Sequence, residues 1–191
     1  IHTAALLGCA KLLLQHRKEL RGDVLLVFQC GEETFDGAAS MLEQGLFQSD
    51  CPEAVVGFHC EPSLPVGTVG VRVGIDNASC DSLRLEVEGR GGHGAHPEAC
   101  VDPVVISAGL IVQLQTLVSR YNAPQDPVVL TFGEIHGGTA PNVIPDTVTI
   151  RGTLRTLDRQ VRKRQLEALQ KVAPAFCQAM GGSCTVTIEK E

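Results

Sequence analysis

The sequence predicts a mixed α/β protein in two parts: a βαβ unit over residues 1–75, then a ferredoxin-like α+β domain over residues 76–191. Two observations predict it. First, the apolar runs VLLVFQ (24–29) and AVVGFH (54–59) flank a short helical segment. Continuous apolar runs suit strands buried on both faces, and strand, helix, strand over this distance implies parallel pairing. Second, the strands beyond residue 80 alternate polar and apolar residues and are interleaved with two long helices. Their order, β-α-β-β-α-β, is the split βαβ arrangement.

Taken in order, residues 3–20 (TAALLGCAKLLLQHRKEL) carry apolar residues at helical spacing, with basic residues gathering at the end, as suits a helix C-terminus. Arg21-Gly22-Asp23 breaks the pattern before the first strand, 24–29. Residues 36–46 (DGAASMLEQGL) read as a short helix with Asp36 near its start, and 54–59 as the second strand. EPSLPVGTVGVRVGIDN, rich in glycine and proline, holds one expected short strand at 69–73 and leads to a boundary near residue 76. Residues 81–88 (DSLRLEVE) form an alternating strand with one wet face. Asp102 and Pro103 open a helix over 102–120. Strands follow at 127–135 and 146–156. A second helix over 158–179 is capped by Asp158 and ended by Gly181-Gly182, and CTVTIE (184–189) is the last strand.

Composition narrows the function. The chain has 191 residues, 43% of them hydrophobic, and a net charge of -6 with scattered basic residues. That excludes a clustered basic face for nucleic acid or an acidic membrane. No apolar run approaches the roughly 20 residues needed to span a bilayer. No initiating methionine or signal peptide is present, and residue 1 falls at a helix start, so the sequence reads as cut at this end. None of the eight cysteines forms C-x-x-C. They are expected to be reduced, with Cys9, Cys80 and Cys177 acting as small hydrophobes in a cytoplasmic protein.

The best chemical signal is Glu32-Glu33 followed by His59. The acids lie just past the first expected strand and the histidine closes the second, so both sets point to the crevice at the carboxyl ends of parallel strands. Adjacent residues on extended backbone project oppositely. One carboxylate can then bind a metal while its neighbour faces a water, a division suited to metal-assisted hydrolysis. The plainer reading is a solvated acidic loop and a core histidine.

GRGGHG (89–94) matches the dinucleotide pattern G-x-G-x-x-G, but the strand before it alternates and the chain about 20 residues later is still helical, where a second strand should end in an acid. It reads as a flexible turn, or as glycines that let backbone approach a ligand and present His93. His96 lies close by. In HGGTAPNVIPD (136–146), Pro141 and Pro145 pin a turn around Asn142, whose side chain commonly bonds its own backbone. Arg151 and Arg155 share a strand face. Either could pair with a substrate carboxylate or be a surface charge.

FQCGEETFDGAASMLEQGLF, GFHCEPSLPVGTVGVRVG, GRGGHGAHPEACVDPV and IHGGTAPNVIPDTVTIRGTLRT together resemble the M20 metallopeptidases of the amidohydrolase branch, which includes hippurate, N-acyl-amino-acid and IAA-amino-acid hydrolases. The likeness runs through nearly the whole chain, in order. It implies a zinc-peptidase-like catalytic domain in the first part and a lid and dimerisation domain in the second. By the same resemblance Glu32 is the general base, Glu33 a metal ligand and His59 a ligand of the second metal. His93 reaches the active site of a partner subunit and helps hold the oxyanion. Asn142 and Arg155 lie near the substrate, the arginine facing its carboxylate.

The resemblance also implies two divalent ions, zinc or manganese first, cobalt or nickel next, a homodimer, and a small N-acyl amino acid as substrate. Cys30 and Gly31 replace the commoner Pro-Ala of the family, a change expected to be tolerated. The family's Cys-x-His-Asp ligand motif is expected immediately before His2, itself not a usual ligand, and its last histidine ligand beyond residue 191. Residues 1–191 alone are therefore expected to be nearly inactive. Other readings are a dipeptidase or deacetylase of the same family, a binding or scaffold protein with the same fold, and a nicotinamide-dependent enzyme using GRGGHG.

Overall fold

A computed structural model describes residues 1–33 and 36–190. The chain divides into two compact units, Ile1–Gly70 and Val71–Glu191.

The first unit contains helix α1 (His2–Gln15), a 3-10 turn at Arg17–Glu19, and helix α2 (Gly37–Glu43). The single expected helix over 3–20 thus ends one turn early, where the His16 Nδ1 contacts Glu19 at 2.9 Å. The strands expected at 24–29 and 54–59 are absent among the described residues, and so is the one at 69–73. These segments carry no ladder. Val24, Leu25, Phe28, Val55, Val56 and Phe58 are all exposed. A strand exists only with a hydrogen-bonded neighbour, and an apolar run by itself does not supply one.

The second unit is built on strands β1 (Ser79–Glu88), β3 (Val128–Gly137), β5 (Thr147–Thr156) and β6 (Ser183–Lys190). They form one antiparallel sheet in the order β3-β5-β1-β6. Helices α3 (Pro103–Ser119) and α4 (Arg159–Ala179) cover one face. Two very short strands, β2 (Gly92–His93) and β4 (Val143–Ile144), pair with each other in a separate two-stranded sheet, which the sequence did not predict.

The alternation in β1 explains the core. Leu83, Leu85 and Val87 point to the helices, with Val148, Ile150 and Leu154 beside them on β5. Leu110, Leu114 and Leu117 of α3 and Leu166, Leu169 and Ala173 of α4 close over them. Each fully buried leucine contributes about 2 kcal/mol of transfer free energy. Both helices are capped as their sequences require. Asp102 accepts from the amides of Val104 and Val105, and Asp158 from those of Gln160 and Val161.

Asp81 occupies the apolar phase of β1. It is fully buried and accepts three hydrogen bonds from Arg162 of α4, at 2.6, 2.9 and 3.1 Å. A buried carboxylate is tolerated only when paired in this way.

All eight cysteines are free thiols. Cys9 is exposed rather than packed, and Cys80 is half-buried. Cys177 and Cys184 are buried side by side, and burial pushes both thiols up, Cys184 to about 12.

Candidate functional site

In the first unit, Glu32 and Glu33 form an exposed turn after Gly31, whose φ is +59°. The turn is closed at its base. A Cβ on Gly37 would lie 1.4 Å from the Cys30 carbonyl oxygen, and the Gly37 amide reaches the Gly31 carbonyl at 3.4 Å. The start of α2 therefore folds back against Cys30–Gly31, with the two acids projecting from the loop between. Thr34 and Phe35 of this motif lie outside the described residues.

His59 is exposed on a segment without regular secondary structure. The His2 ring lies beside it, with centroids 6.3 Å apart, and beside Phe58 at 5.1 Å. Next to it, the hydroxyl and amide of Ser63 donate to Glu61 at 2.7 and 3.1 Å, holding that carboxyl below its usual range.

In the second unit, β2 and β4 form a small arm that carries His93 and Asn142 together. His93 pairs with Val143, and the Gly94 amide donates to the Asn142 carbonyl at 2.8 Å. Asp146 fastens the arm to the start of β5. Its carboxylate accepts from the Gly91 amide and its carbonyl from the Gly89 amide, both at 2.8 Å.

The glycines of GRGGHG serve this packing. None has positive φ, and a Cβ at Gly89 or Gly91 would lie 2.1 Å from the Val101 carbonyl or 2.6 Å from that of Ile144. They are neither a flexible turn nor a phosphate cradle. The segment continues into β2 and a 3-10 turn at Pro97–Ala99 instead of opening a helix onto a pyrophosphate.

Arg155 is not part of that arm. It sits near the other end of β5, opposite Cys80 of β1 and Val129 of β3. Eight residues separate it from Thr147, roughly 26 Å of strand. Arg151, on the same face, is committed to Glu189 at 2.7 Å. That contact, first, and the nearby Glu134 hold its guanidinium above its usual range.

A sequence profile of peptidase family M20/M25/M40 matches residues 1–184. The chain belongs to this family. An N-acetyl-L-cysteine deacetylase of Bacillus subtilis is 44% identical over 179 residues, covering 92% of this chain and 42% of that protein. An N-acyl-L-amino acid amidohydrolase of Geobacillus stearothermophilus is 37% identical over 183 residues, covering 95% and 49%. Among solved structures, the YXEP protein of Bacillus subtilis, described as a dinuclear metal-binding peptidase of the M20 family, superimposes with a TM-score of 0.77. It is 32% identical, with 97% of this chain and 46% of that one covered. The chain spans less than half the length of these relatives.

M20 membership raises the question of whether the residues here suit a metal. By type they do: carboxylates and an imidazole are good donors for a divalent ion. By number they are incomplete, since no group of three or more His, Cys, Asp or Glu close enough to hold an ion occurs among the described residues. Sequence reasoning missed Asp146, which the pairing of β2 with β4 reveals. It also missed Asp81, whose signal was an acid standing in the buried phase of an otherwise alternating strand. No helix among the described residues is long and apolar enough to cross a membrane.

Proposed function

We propose that the protein to which residues 1–191 belong hydrolyses the amide bond of N-acyl amino acids with two divalent metal ions. The observation that carries this reading is the β2–β4 arm, which fixes His93 and Asn142 together in a chain of the M20 family. Two relatives bear the names of enzymes that act on such substrates.

Glu33 and His59 are ligands contributed by this chain, with the remaining ligands outside residues 1–191. When bound, the ions polarise the carbonyl and ease deprotonation of water near neutral pH. Glu32 takes a proton from the attacking water and returns it to the departing amine as the carbon–nitrogen bond breaks. His93 donates to the carbonyl oxygen as charge builds there. Arg155 pairs with the substrate carboxylate, and Asn142 lines the pocket from the His93 arm.

The protein acts as a homodimer, and the second unit is its lid and dimerisation domain. The separation of roughly 26 Å along β5 between the arm and Arg155 supports a site shared by two copies, each giving His93 to the other. Two further features favour pairing through one edge of the sheet. β3 is an edge strand without lysine or proline, and α3 has no charged residue in 17, leaving Val104, Val105 and Val112 exposed. An edge strand without lysine or proline, packed beside an uncharged helix, suits self-complementary contact. Eight free thiols suit the reducing cytoplasm.

Glu32→Gln in the full-length protein is the direct test. The variant should retain its metal, measured by elemental analysis, and lose most hydrolysis across a panel of N-acyl amino acids. Unchanged turnover would remove Glu32 from the mechanism. The same panel, extended to dipeptides, separates an acylase from a dipeptidase, and the 44% identity to a deacetylase favours short acyl groups.

A further inference from the structure

We propose that the turn from His93 to His96 is a tautomer lock: the Ala95 backbone amide donates to His93 Nδ1, so the neutral ring carries its hydrogen on Nε2. The contact is 3.1 Å from Ala95 N to Nδ1. An amide nitrogen can only donate, so the ring nitrogen facing it must accept, and an accepting Nδ1 leaves the hydrogen of the neutral imidazole on Nε2.

The turn is fixed from both sides. The His96 amide donates to the His93 carbonyl at 2.8 Å, and the Gly94 amide donates across to Asn142 at 2.8 Å. Gly94 permits this approach, since a Cβ there would stand 3.0 Å from the Asn142 carbonyl. The His96 ring is tilted against His93 with its centroid 6.0 Å away, while His96 Nδ1 lies 3.4 Å from Glu98. Ala95 is thus a positioning residue acting through its main chain. It presets the outer nitrogen of His93 as a donor, where the other tautomer would turn a lone pair toward a developing oxyanion. The catalytic consequence rests on the oxyanion role proposed for His93; the tautomer itself does not.

The test is long-range proton–nitrogen NMR on the full-length protein labelled with [15N]histidine, with the His93 signals assigned by their loss in His93→Gln. The neutral form of the ring is expected to carry its hydrogen on Nε2. A ring protonated at Nδ1, or an exchanging mixture of the two, overturns the lock. Ala95→Pro, which deletes the amide hydrogen, should convert the spectrum to a mixture. It should also lower kcat by between a fewfold and the roughly 100-fold that loss of an oxyanion donor costs, with KM little changed. An unchanged tautomer in a folded Ala95→Pro protein also overturns it. A locked ring in a protein that cleaves no N-acyl amino acid refutes the proposed function and sustains the lock. Full hydrolysis with an unlocked ring does the reverse.

Discussion

Replacing Asp146 by alanine should lower turnover by loosening the arm, at a cost in stability no larger than that of the one hydrogen bond removed. Its carboxylate accepts one hydrogen bond, from the Gly91 amide at 2.8 Å, and the residue is exposed, so water can satisfy that amide in the variant. The net loss is therefore about 1–2 kcal/mol, toward the low end for a hydrogen bond to a charged group because solvent can replace it. The arm it holds is small: two residues of β2 against two of β4, with the Gly89 and Gly94 amides as further ties.

If the full 1–2 kcal/mol falls on the docked arm, the ratio of docked to undocked arm drops by a factor of about 5–30, and the population presenting His93 falls by at most that factor. Because His93 is proposed to act only as charge develops, kcat and kcat/KM should fall together by up to that factor. Asp146→Asn retains an acceptor oxygen and should stay close to wild type. Steady-state release of free amine from an N-acetyl amino acid by the full-length protein, run beside thermal unfolding, measures both quantities. Full activity in Asp146→Ala would refute the reasoning, as would an asparagine variant as damaged as the alanine one.

Three further outcomes follow from the packing. Asp81→Ala removes the buried carboxylate that accepts from Arg162 and should cost about 3 kcal/mol in urea unfolding, the lower end for breaking a buried pair because Arg162 keeps 26% of its side-chain surface exposed; a loss under about 1 kcal/mol would show that the pair is dispensable. Cys184 has a folded value of about 12 against an ordinary 9.0. The unfolded chain therefore loses this proton first, so its stabilisation is complete below about pH 9 and declines as pH rises toward 12, by about 1.4 kcal/mol per unit; equal alkaline sensitivity in Cys184→Ala would contradict this. Gly37→Ala forces a Cβ into the Cys30 carbonyl and should open the Glu32–Glu33 loop, lowering metal content in the full-length protein while helix content by circular dichroism holds; unchanged metal content would show that the loop does not depend on this contact.

The two units were not equally legible. In the second, alternation with period two and two capped helices leave little choice, and every long strand and helix lies within two residues of its expected limits. In the first, VLLVFQ and AVVGFH announce segments that favour cover on both faces, yet they run largely exposed, with only Leu26 and Val27 half-buried, and without a strand ladder. An apolar run states a demand for neighbours without naming them. Of the candidate site residues, Glu32, Glu33 and His59 stood out by residue type, and His93 by its glycines. Their geometry did not, because β2 and β4 are two residues each, too short to carry any period.

What the sequence determined by itself was chemistry and local form: which residues can donate, accept or bind a metal, where helices are capped, and which face of each long strand turns inward. These are properties of neighbours along the chain, within reach of pattern. What only the tertiary structure decided was juxtaposition. Asn142 meets the His93 arm across some 50 residues, Asp146 clasps Gly91, Asp81 finds Arg162, and Arg155 stands at the far end of the sheet. Such meetings are set by strand register and by close backbone approach at glycines. Both depend on the whole packed arrangement, and no stretch of sequence encodes them alone.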